Sequence, residues 1–316
     1  MVDLQSQYAF IRTQVEVGIN QVLSSAQFIN GPAVKSFQSN LESYLGVKHV
    51  IPCANGTDAL QVAMMGLGLE PGDEVITTDF TFAATVEVIA LLGLTPVLVD
   101  VDPKSYNIDP KAIRRAITPK TKAIVPVHLF GQVADMDAIM AIAEKHNLYV
   151  IEDNAQGIGA TYTDAKGNRT KTGGIGHVGS TSFFPSKNLG CYGDGGAIIT
   201  NDDDLAHNLR GIVNHGMYER YHHDVVGVNS RLDSLQAVVL NEKLKLLDYY
   251  NERRKRAAIR YSQLLSGYNN IITPNVIRNC DSHVFHQYTL RLIGSDRDAL
   301  VQHLQSQGIP CGVYYP

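Results

Sequence analysis

Residues 122–153 read KAIVPVHLFGQVADMDAIMAIAEKHNLYVIED. Two short apolar runs, at 123–127 and 148–151, flank a stretch from Met136 to His146 whose apolar residues recur with helical spacing. Such runs predict buried strands on either side of an amphipathic helix. Comparable alternation extends upstream to about Lys48, through HVIPC, EVITT and TPVLV. The pattern predicts an α/β fold with a mostly parallel sheet, in which the residues just after each strand lie at the ligand-binding edge.

The composition of the 316-residue chain is that of a globular protein, with 44% hydrophobic and 18% charged residues and a formal net charge of −4. These values argue against a disordered, collagen-like or coiled-coil protein. The slightly negative net charge also provides no broad positive surface for binding nucleic acid or anionic lipid. The longest apolar stretch, Val88 to Val99, is too short and too interrupted for a transmembrane helix. The opening MVDLQSQYAF lacks the features of a secretory signal, so we expect a cytoplasmic protein. Reduced thiols are expected at Cys53, Cys191, Cys280 and Cys311, which are widely spaced.

The periodicity divides the chain into three expected parts: an N-terminal helical segment at 1–25, a large domain at 26–240 and a small C-terminal domain at 241–316. A long helical stretch beginning near Arg231 would lead from the large domain into the small one. The segment 214–230, NHGMYERYHHDVVGVNS, is polar and without period, which predicts a long functional loop. Because the sequence stops in GVYYP, we expect the last part of the small domain to be missing from it.

Two residues after strand-like runs are candidates for chemistry. Lys187 follows Pro185 and Ser186 and precedes a glycine-rich turn, where an amine can be desolvated and made nucleophilic. A solvated surface lysine is the alternative. Asp153 ends the run VIED and could hold a proton on a heterocyclic nitrogen, or else cap a loop. The two are 34 residues apart, which leaves room for one helix and one further strand to bring them side by side.

Two more strand ends offer binding groups. The stretch ANGTDAL follows a strand and opens a helix, so its free N–H groups could bind a phosphate. Alternatively, Thr57 or Asp58 simply caps that helix. The stretch TDFTFAAT offers Phe80 and Phe82 as flat surfaces, although either could belong to the core.

A phosphate cradle, an aromatic platform, an aspartate and a lysine occur in this chain order. The segments ANGTDAL, GDEVITTDFTFAAT, VIEDNAQGIGATY, TSFFPSKNLGCYGDGGAIIT and VGVNSRLDSLQA make the chain similar to the nucleotide-sugar aminotransferases of the DegT/DnrJ/EryC1/StrS group, over nearly its whole length. The resemblance implies an aspartate aminotransferase-like fold (fold type I), with a large domain built on a mixed, mostly parallel sheet and a smaller C-terminal domain.

The resemblance also implies a pyridoxal 5′-phosphate site in the large domain. Lys187 would bind the cofactor covalently and move the proton during transamination, and Asp153 would bond the pyridine nitrogen. The remaining cofactor contacts would be Gly56, Thr57 and Ser182 at the phosphate, Phe82 on the ring face, Gln156 near the 3′-oxygen and Asn229 from the second subunit of a homodimer. A histidine in place of Lys187 would suit the dehydratases of the same group, so the lysine favours amino transfer.

The implied reaction moves an amino group from L-glutamate to a nucleotide-linked keto-sugar. The chain resembles most closely the relatives that act on UDP-2-acetamido-2-deoxy-3-oxo-glucuronate for lipopolysaccharide or O-antigen synthesis. Arg231 would then bind the uronate carboxylate from the neighbouring subunit, or else form a local ion pair. The other candidate substrate contacts are Tyr314 and Tyr315 at the sugar, and His215, Arg220 and Tyr221 at the pyrophosphate or uracil.

Three alternatives stay open. The same chemistry could act on a 3- or 4-keto-6-deoxyhexose linked to UDP, dTDP or GDP. The chain could also be a regulatory protein that binds the cofactor without turnover, although the complete set of cofactor residues argues against this. A metal site at the histidines of the 214–230 segment is disfavoured, because adjacent histidines rarely point the same way. We therefore expect no metal.

Overall fold

A computed structural model describes residues 2–277 and 280–315. Its strands are β1 (His49–Cys53), β2 (Glu74–Thr78), β3 (Thr95–Val99), β4 (Thr121–Val125), β5 (Tyr149–Asp153), β6 (Thr161–Thr163), β7 (Arg169–Lys171), β8 (Val178–Ser182), β9 (Gly196–Thr200), β10 (Met217–Glu219), β11 (His222–His223), β12 (Ile271–Ile272) and β13 (Arg291–Leu292). Its α-helices are α1 (Leu4–Ser25), α2 (Pro32–Leu45), α3 (Gly56–Gly66), α4 (Ala84–Leu91), α5 (Pro110–Ala116), α6 (Met136–His146), α7 (Asp203–Ile212), α8 (Ser234–Leu244), α9 (Leu247–Leu265) and α10 (Arg297–Ser306).

Seven of the strands form one sheet in the order β1-β9-β8-β5-β4-β2-β3. The strands β8, β5, β4, β2 and β3 are parallel to one another, whereas β9 runs antiparallel to both β1 and β8. The expected mixed, mostly parallel sheet is therefore confirmed. Its carboxyl edge collects the residues that follow β2, β4, β5 and β8.

Helices cover both faces of the sheet because neighbouring strand residues point to opposite sides. On one face, Ile151 packs in a cluster with residues of α3, α4 and α7. On the other face, Val150 packs in a cluster with residues of α5 and α6. A third cluster joins α2 to α8 and includes Phe183, next to the end of β8. The end of β8 is thus fixed by packing against α2 and α8.

The segment between Asp153 and Lys187 differs from the expectation of one helix and one strand. The structure, which describes this segment in full, has the hairpin β6–β7 followed by β8, so the predicted helix is wrong. Six glycines between positions 154 and 177 explain the difference, because glycine disfavours helix interiors. Asp153 and β8 are nevertheless side by side, since β5 and β8 pair directly.

Two other segments are more structured than the sequence suggested. The polar segment 214–230 contains the short hairpin β10–β11. The helical stretch expected from near Arg231 is two helices, α8 and α9, which are separated at residues 245–246. Helix α9 leads to the C-terminal region, where β12 pairs with β13 and α10 follows.

Among the described residues, no helix is long and apolar enough to cross a membrane. Cys53, Cys191 and Cys311 are free thiols, as expected. The side chain of Cys280 lies outside the described residues.

Candidate active site

Asp153 lies at the carboxyl end of the central strand β5 and is buried. Its Oδ2 accepts a hydrogen bond of 2.8 Å from the Thr85 hydroxyl, and its Oδ1 accepts one of 3.1 Å from the backbone N–H of Ala155. Because Thr85 gives its only proton to the carboxylate, the Thr81 hydroxyl is the donor in the 2.9 Å bond between the two threonines. The first turn of α4 therefore holds the Asp153 carboxylate in a fixed orientation. The sequence reasoning missed Thr85, although it lies in the quoted stretch TDFTFAAT.

Lys187 follows β8, the strand that pairs with β5. The backbone N–H of Lys187 donates to the carbonyl of Phe184 at 2.8 Å, in a turn that places the side chain beside the sheet edge. Burial lowers the pKa of the Lys187 amine below its ordinary value of 10.5, and the negative charge of Asp153 opposes part of this shift. A lowered pKa increases the fraction of uncharged, nucleophilic amine at neutral pH.

Glu152 precedes Asp153 on β5, and its side chain lies on the opposite face of that strand. It holds the loop that leads into β8. Its buried carboxylate accepts hydrogen bonds from His128 Nε2 at 2.8 Å and from the backbone N–H groups of Gly173, Ile175 and Gly176 at 2.7–2.8 Å. The loop before β8 is therefore anchored to the end of β5. Glu152 supports the site without lining it.

The first turn of α3 lies against Ser182 at the end of β8. A Cβ added to Gly56 would lie 2.6 Å from the Ser182 Cβ, so only glycine permits this approach. The helix is capped by Asn55, whose Oδ1 accepts from the N–H of Asp58 at 2.8 Å, and not by the side chains of Thr57 or Asp58. Among the described residues, no acceptor is bonded to the N–H groups of Gly56 and Thr57. An anion such as a phosphate fits this helix start.

Gln156 and Tyr315 meet at the same edge of the sheet. Gln156 Oε1 accepts from the N–H of Phe130 at 2.6 Å, and its Nε2 donates to the Tyr315 hydroxyl at 3.2 Å. The Tyr315 ring packs 5.8 Å from Phe80, centroid to centroid. The structure thus brings Tyr315 to the site, whereas Tyr314 beside it is exposed. Of the two candidate aromatic platforms, Phe80 is packed in this cluster.

The ring of Phe82 is 60% exposed at the start of α4. An exposed phenylalanine ring offers a free face for stacking. The structure does not bury Phe82 in the core, which was the alternative for a lone phenylalanine.

Arg231 is half-buried, and its Nη1 donates to the Asn214 side-chain oxygen at 3.0 Å. Its buried Nε has no hydrogen-bond partner among the described residues, and no carboxylate pairs with it there. Among the described residues, Arg231 therefore does not form the local ion pair that was the alternative. Asn229, two residues earlier, is exposed.

The other candidate substrate residues lie on the exposed hairpin segment. His215, Arg220 and Tyr221 are exposed, and the Arg220 guanidinium lies 4.9 Å from the Tyr221 ring centroid. No described contact joins them to Lys187 or Asp153 of the same chain. In the part of the chain that the structure describes, no group of three His, Cys, Asp or Glu side chains is arranged to hold a metal ion.

A family model for the DegT/DnrJ/EryC1/StrS aminotransferases matches residues 11–316. The chain is 50% identical over 315 residues to the UDP-2-acetamido-2-deoxy-3-oxo-D-glucuronate aminotransferase of Pseudomonas aeruginosa, a match that covers 100% of this chain and 85% of that protein. It is 46% identical over 316 residues to the UDP-N-acetyl-3-dehydro-alpha-D-glucosamine 3-aminotransferase of Acidithiobacillus ferrooxidans, covering 100% and 83%.

Among solved structures, ntda from Bacillus subtilis with bound cofactor PMP matches with a TM-score of 0.87 at 34% identity, covering 96% of this chain and 69% of that one. The matches cover nearly the full length of this chain, and the similarity to a solved aminotransferase-family structure confirms the expected fold type I. The chain therefore belongs to the DegT/DnrJ/EryC1/StrS aminotransferase family.

Proposed function

We propose that this chain is a pyridoxal 5′-phosphate-dependent aminotransferase that moves an amino group from L-glutamate to UDP-2-acetamido-2-deoxy-3-oxo-glucuronate. The observation that carries the chemistry is the direct pairing of β5 with β8, which brings Asp153 and the turn that bears the buried Lys187 amine to the same edge of the sheet. The two aminotransferases named above act, by name, on UDP-linked sugars oxidised at carbon 3, which supports the substrate class.

The residues of the site fit the cofactor at both of its ends. The contact of Gly56 with Ser182 leaves the free N–H groups of α3 for a phosphate, and the oriented carboxylate of Asp153 suits a protonated pyridine nitrogen. When bound, the cofactor supplies an electron sink for the carbon that carries the amine. Lys187 would take a proton at that carbon and return it at another.

The remaining residues of the cofactor site would orient the ring. Asp153 would keep the proton on the ring nitrogen, Gln156 would lie near the 3′-oxygen, and Phe82 would cover one ring face. Thr57 would add its N–H to the phosphate site. These roles are the ones that the resemblance to the aminotransferase family implies for residues near the carboxyl edge of the sheet.

Arg231 supports a substrate that carries a carboxylate. Its guanidinium is held by the neutral amide of Asn214, so its positive charge stays available to an anion. A uronate provides that anion and a neutral hexose does not. Tyr314 and Tyr315 would contact the sugar ring beside it.

A homodimer would complete the site. Asn229 and the nearby residues His215, Arg220 and Tyr221 are exposed, and no described contact joins them to the lysine of the same chain. From a second subunit, Asn229 would bind the cofactor phosphate, and the other three would meet the pyrophosphate or base of the sugar nucleotide. Exposed apolar side chains, among them Phe10 on α1 and Val226, would be covered by the same contact.

The amino sugar formed in the proposed reaction would serve bacterial lipopolysaccharide or O-antigen synthesis in the cytoplasm.

The first test is an absorbance experiment on the purified protein supplied with pyridoxal phosphate. We expect a visible band that bleaches with L-glutamate and returns with the UDP-linked 3-oxo-glucuronate, with the amino sugar identified by mass spectrometry. Lys187→Ala should show neither change, because it lacks the amine that binds the cofactor. A band that bleaches but does not return with this sugar refutes the substrate and leaves the neutral hexoses; no band at all refutes the cofactor.

The dimer is tested by mixing two inactive variants. In a mixed dimer of Lys187→Ala and Asn229→Ala subunits, one of the two sites has both native residues. We expect an equimolar mixture to recover about one quarter of the wild-type rate, since about half of the dimers are mixed. Mixtures that stay inactive would contradict the shared site.

A further inference from the structure

The turn that bears Lys187 is closed at its base by the backbone. The N–H of Cys191 donates to the carbonyl of Phe183 at 2.8 Å, and the N–H of Lys187 donates to the carbonyl of Phe184 at 2.8 Å. Asn188 follows the lysine directly and its side chain is buried. The turn is therefore held at its base by main-chain bonds and, next to the lysine, by the side chain of Asn188.

The Asn188 side chain bonds three residues that lie far along the chain. Its Nδ2 donates to Asn251 Oδ1 on α9 at 2.7 Å and to the carbonyl of Val284 at 3.3 Å. Asn251 is oriented in turn by donating from Nδ2 to the carbonyl of Ile158 at 3.2 Å. Because carbonyl oxygens only accept, these bonds fix both amides, and Asn188 Oδ1 faces His286 Nδ1 at 3.2 Å as an acceptor. Both hydrogens and the oxygen of the Asn188 amide are thus in use.

The segment that Asn188 reaches also supports the other side of the candidate site. The N–H of Val284 donates to the carbonyl of Gly131 at 2.9 Å. The preceding residue, Phe130, donates its N–H to Gln156 Oε1 at 2.6 Å. Asn188 therefore links the lysine turn to the stretch of backbone that holds Gln156.

We propose that Asn188 is a positioning residue for Lys187. By tying the turn to Asn251 and to the segment at Val284, it keeps the lysine amine in place at the sheet edge relative to the groups that would hold the cofactor ring. Asn188 gains and loses no proton, and it acts through the backbone that it shares with the lysine. A displacement of about 1 Å in a reacting group can cost about 100-fold in rate. This inference deepens the proposed aminotransferase function and rests on it.

The alternative is that the Asn188 bonds only dock α9 against the large domain. The two roles differ in their effect on the lysine amine. Burial lowers the pKa of Lys187 below 10.5, and it is the largest influence on that pKa. A turn released from Asn188 would let water reach the amine, so the pKa should rise back toward 10.5. A purely structural role would lower stability and leave this pKa unchanged.

The test measures the pKa of Lys187 in protein stripped of pyridoxal phosphate. Brief acetylation with acetic anhydride, from about pH 6 to pH 11, is followed by mass spectrometry of the peptide that contains Lys187. The exposed Lys35 is the internal reference for reagent reactivity.

Three variants separate positioning from general loosening. Asn188→Ala removes all three side-chain bonds of the turn. Asn251→Ala removes one of them and keeps the proposal testable if Asn188→Ala does not fold. Thr77→Val is the matched control, because it removes a buried hydroxyl that donates to the carbonyl of Val125 at 2.9 Å, between β2 and β4.

We expect the pKa of Lys187 to rise by about half a pH unit or more in Asn188→Ala, to rise less in Asn251→Ala and to stay unchanged in Thr77→Val. With the cofactor restored, single-turnover bleaching of its band by L-glutamate should follow the same order. The loss of rate should be about 10-fold or more for Asn188→Ala. This measurement needs no keto-sugar, so it does not depend on the sugar assignment.

A folded but less stable Asn188→Ala protein with the wild-type pKa at Lys187 would overturn the proposal and leave Asn188 as a structural residue. Equal rises in all three variants would overturn it as well, because they would indicate general loosening. So would normal bleaching by the folded Asn188→Ala enzyme. A wild-type protein that shows no cofactor band would instead refute the proposed function, and since the labelling needs no cofactor, the two failures are distinguishable.

Discussion

Glu152→Gln changes a fully buried carboxylate that accepts four hydrogen bonds. One oxygen is shared by His128 Nε2 and the N–H of Gly173, and the other by the N–H groups of Ile175 and Gly176. A glutamine amide serves only one of these pairs, and its NH2 group faces two donors at the other.

His128 cannot relieve the conflict by moving its proton, because its Nδ1 already accepts from the N–H of Ala134 at 3.3 Å. Each buried donor left without an acceptor costs about 1–3 kcal/mol. Because two buried donors lose their acceptor, we expect Glu152→Gln to lower the free energy of unfolding by about 2–6 kcal/mol at pH 7, out of a typical total of about 5–15 kcal/mol.

The loss should depend on pH in a defined direction. Burial alone would raise the pKa of Glu152, but the hydrogen bonds from His128, Gly176 and Gly173 outweigh it and hold the pKa below the ordinary 4.5. A lowered folded pKa contributes stability above the unfolded value and loses it as the pH falls through the folded value. The difference between wild type and variant should therefore be constant above pH 4.5 and shrink below it.

Urea denaturation followed by circular dichroism, from pH 4 to 7 in excess cofactor, measures this difference. Glu252→Gln is the control, because Glu252 is exposed and pairs with Arg256 one helical turn away; it should change stability by less than about 0.5 kcal/mol. A loss below about 1 kcal/mol for Glu152→Gln at pH 7 would refute the reasoning. So would a difference that does not shrink on acidification.

Three further predictions concern other positions. Gly56→Ala places a Cβ 2.6 Å from that of Ser182, so cofactor binding should weaken by about 1–3 kcal/mol in an absorbance titration, with Ser182→Gly restoring part of it. Thr85→Val removes a bond to the Asp153 carboxylate while keeping the side-chain shape, so kcat should fall about 10- to 100-fold with little change in KM. Lys243→Met removes a buried amine whose pKa is lowered by burial to about 8, so the free energy of unfolding at pH 7 should rise by about 2–3 kcal/mol. Urea denaturation should show that this added stability shrinks as the pH rises from 8 to 10.5.

Asp153 and Lys187 could be found from the sequence because each follows a strand that its own residues reveal. The run VIED ends at the sheet edge, and STSFF leads to the lysine turn. Parallel strands bring their carboxyl ends to one edge, so local patterns are sufficient to place both residues there. The same reasoning placed Gly56 at the start of a helix.

Thr85 could not be found in this way. Its hydroxyl bonds a residue 68 positions away. Local periodicity does not mark Thr85, because its role depends on how two distant elements are docked. Only the contact of α4 with the end of β5 assigns it.

The helix expected between Asp153 and Lys187 shows the limit of spacing as evidence. Thirty-four residues have room for a helix, but room does not select one conformation over another. The glycines and the short alternating runs of this segment favour a hairpin, which is the structure observed. The composition of the segment, and not its length, therefore determines its conformation.

The antiparallel direction of β9 has a consequence for how the site forms. Ser182 at the end of β8 pairs directly with Gly196 at the start of β9, so the thirteen residues that include Lys187 form a loop closed by one rung of the ladder. A loop of this length loses little entropy on closure and closes in well under a microsecond once its ends can meet. A parallel neighbour would have required a long crossover before the lysine returned to the sheet. Lys187 can therefore reach its place early in folding, as soon as β8 and β9 have paired.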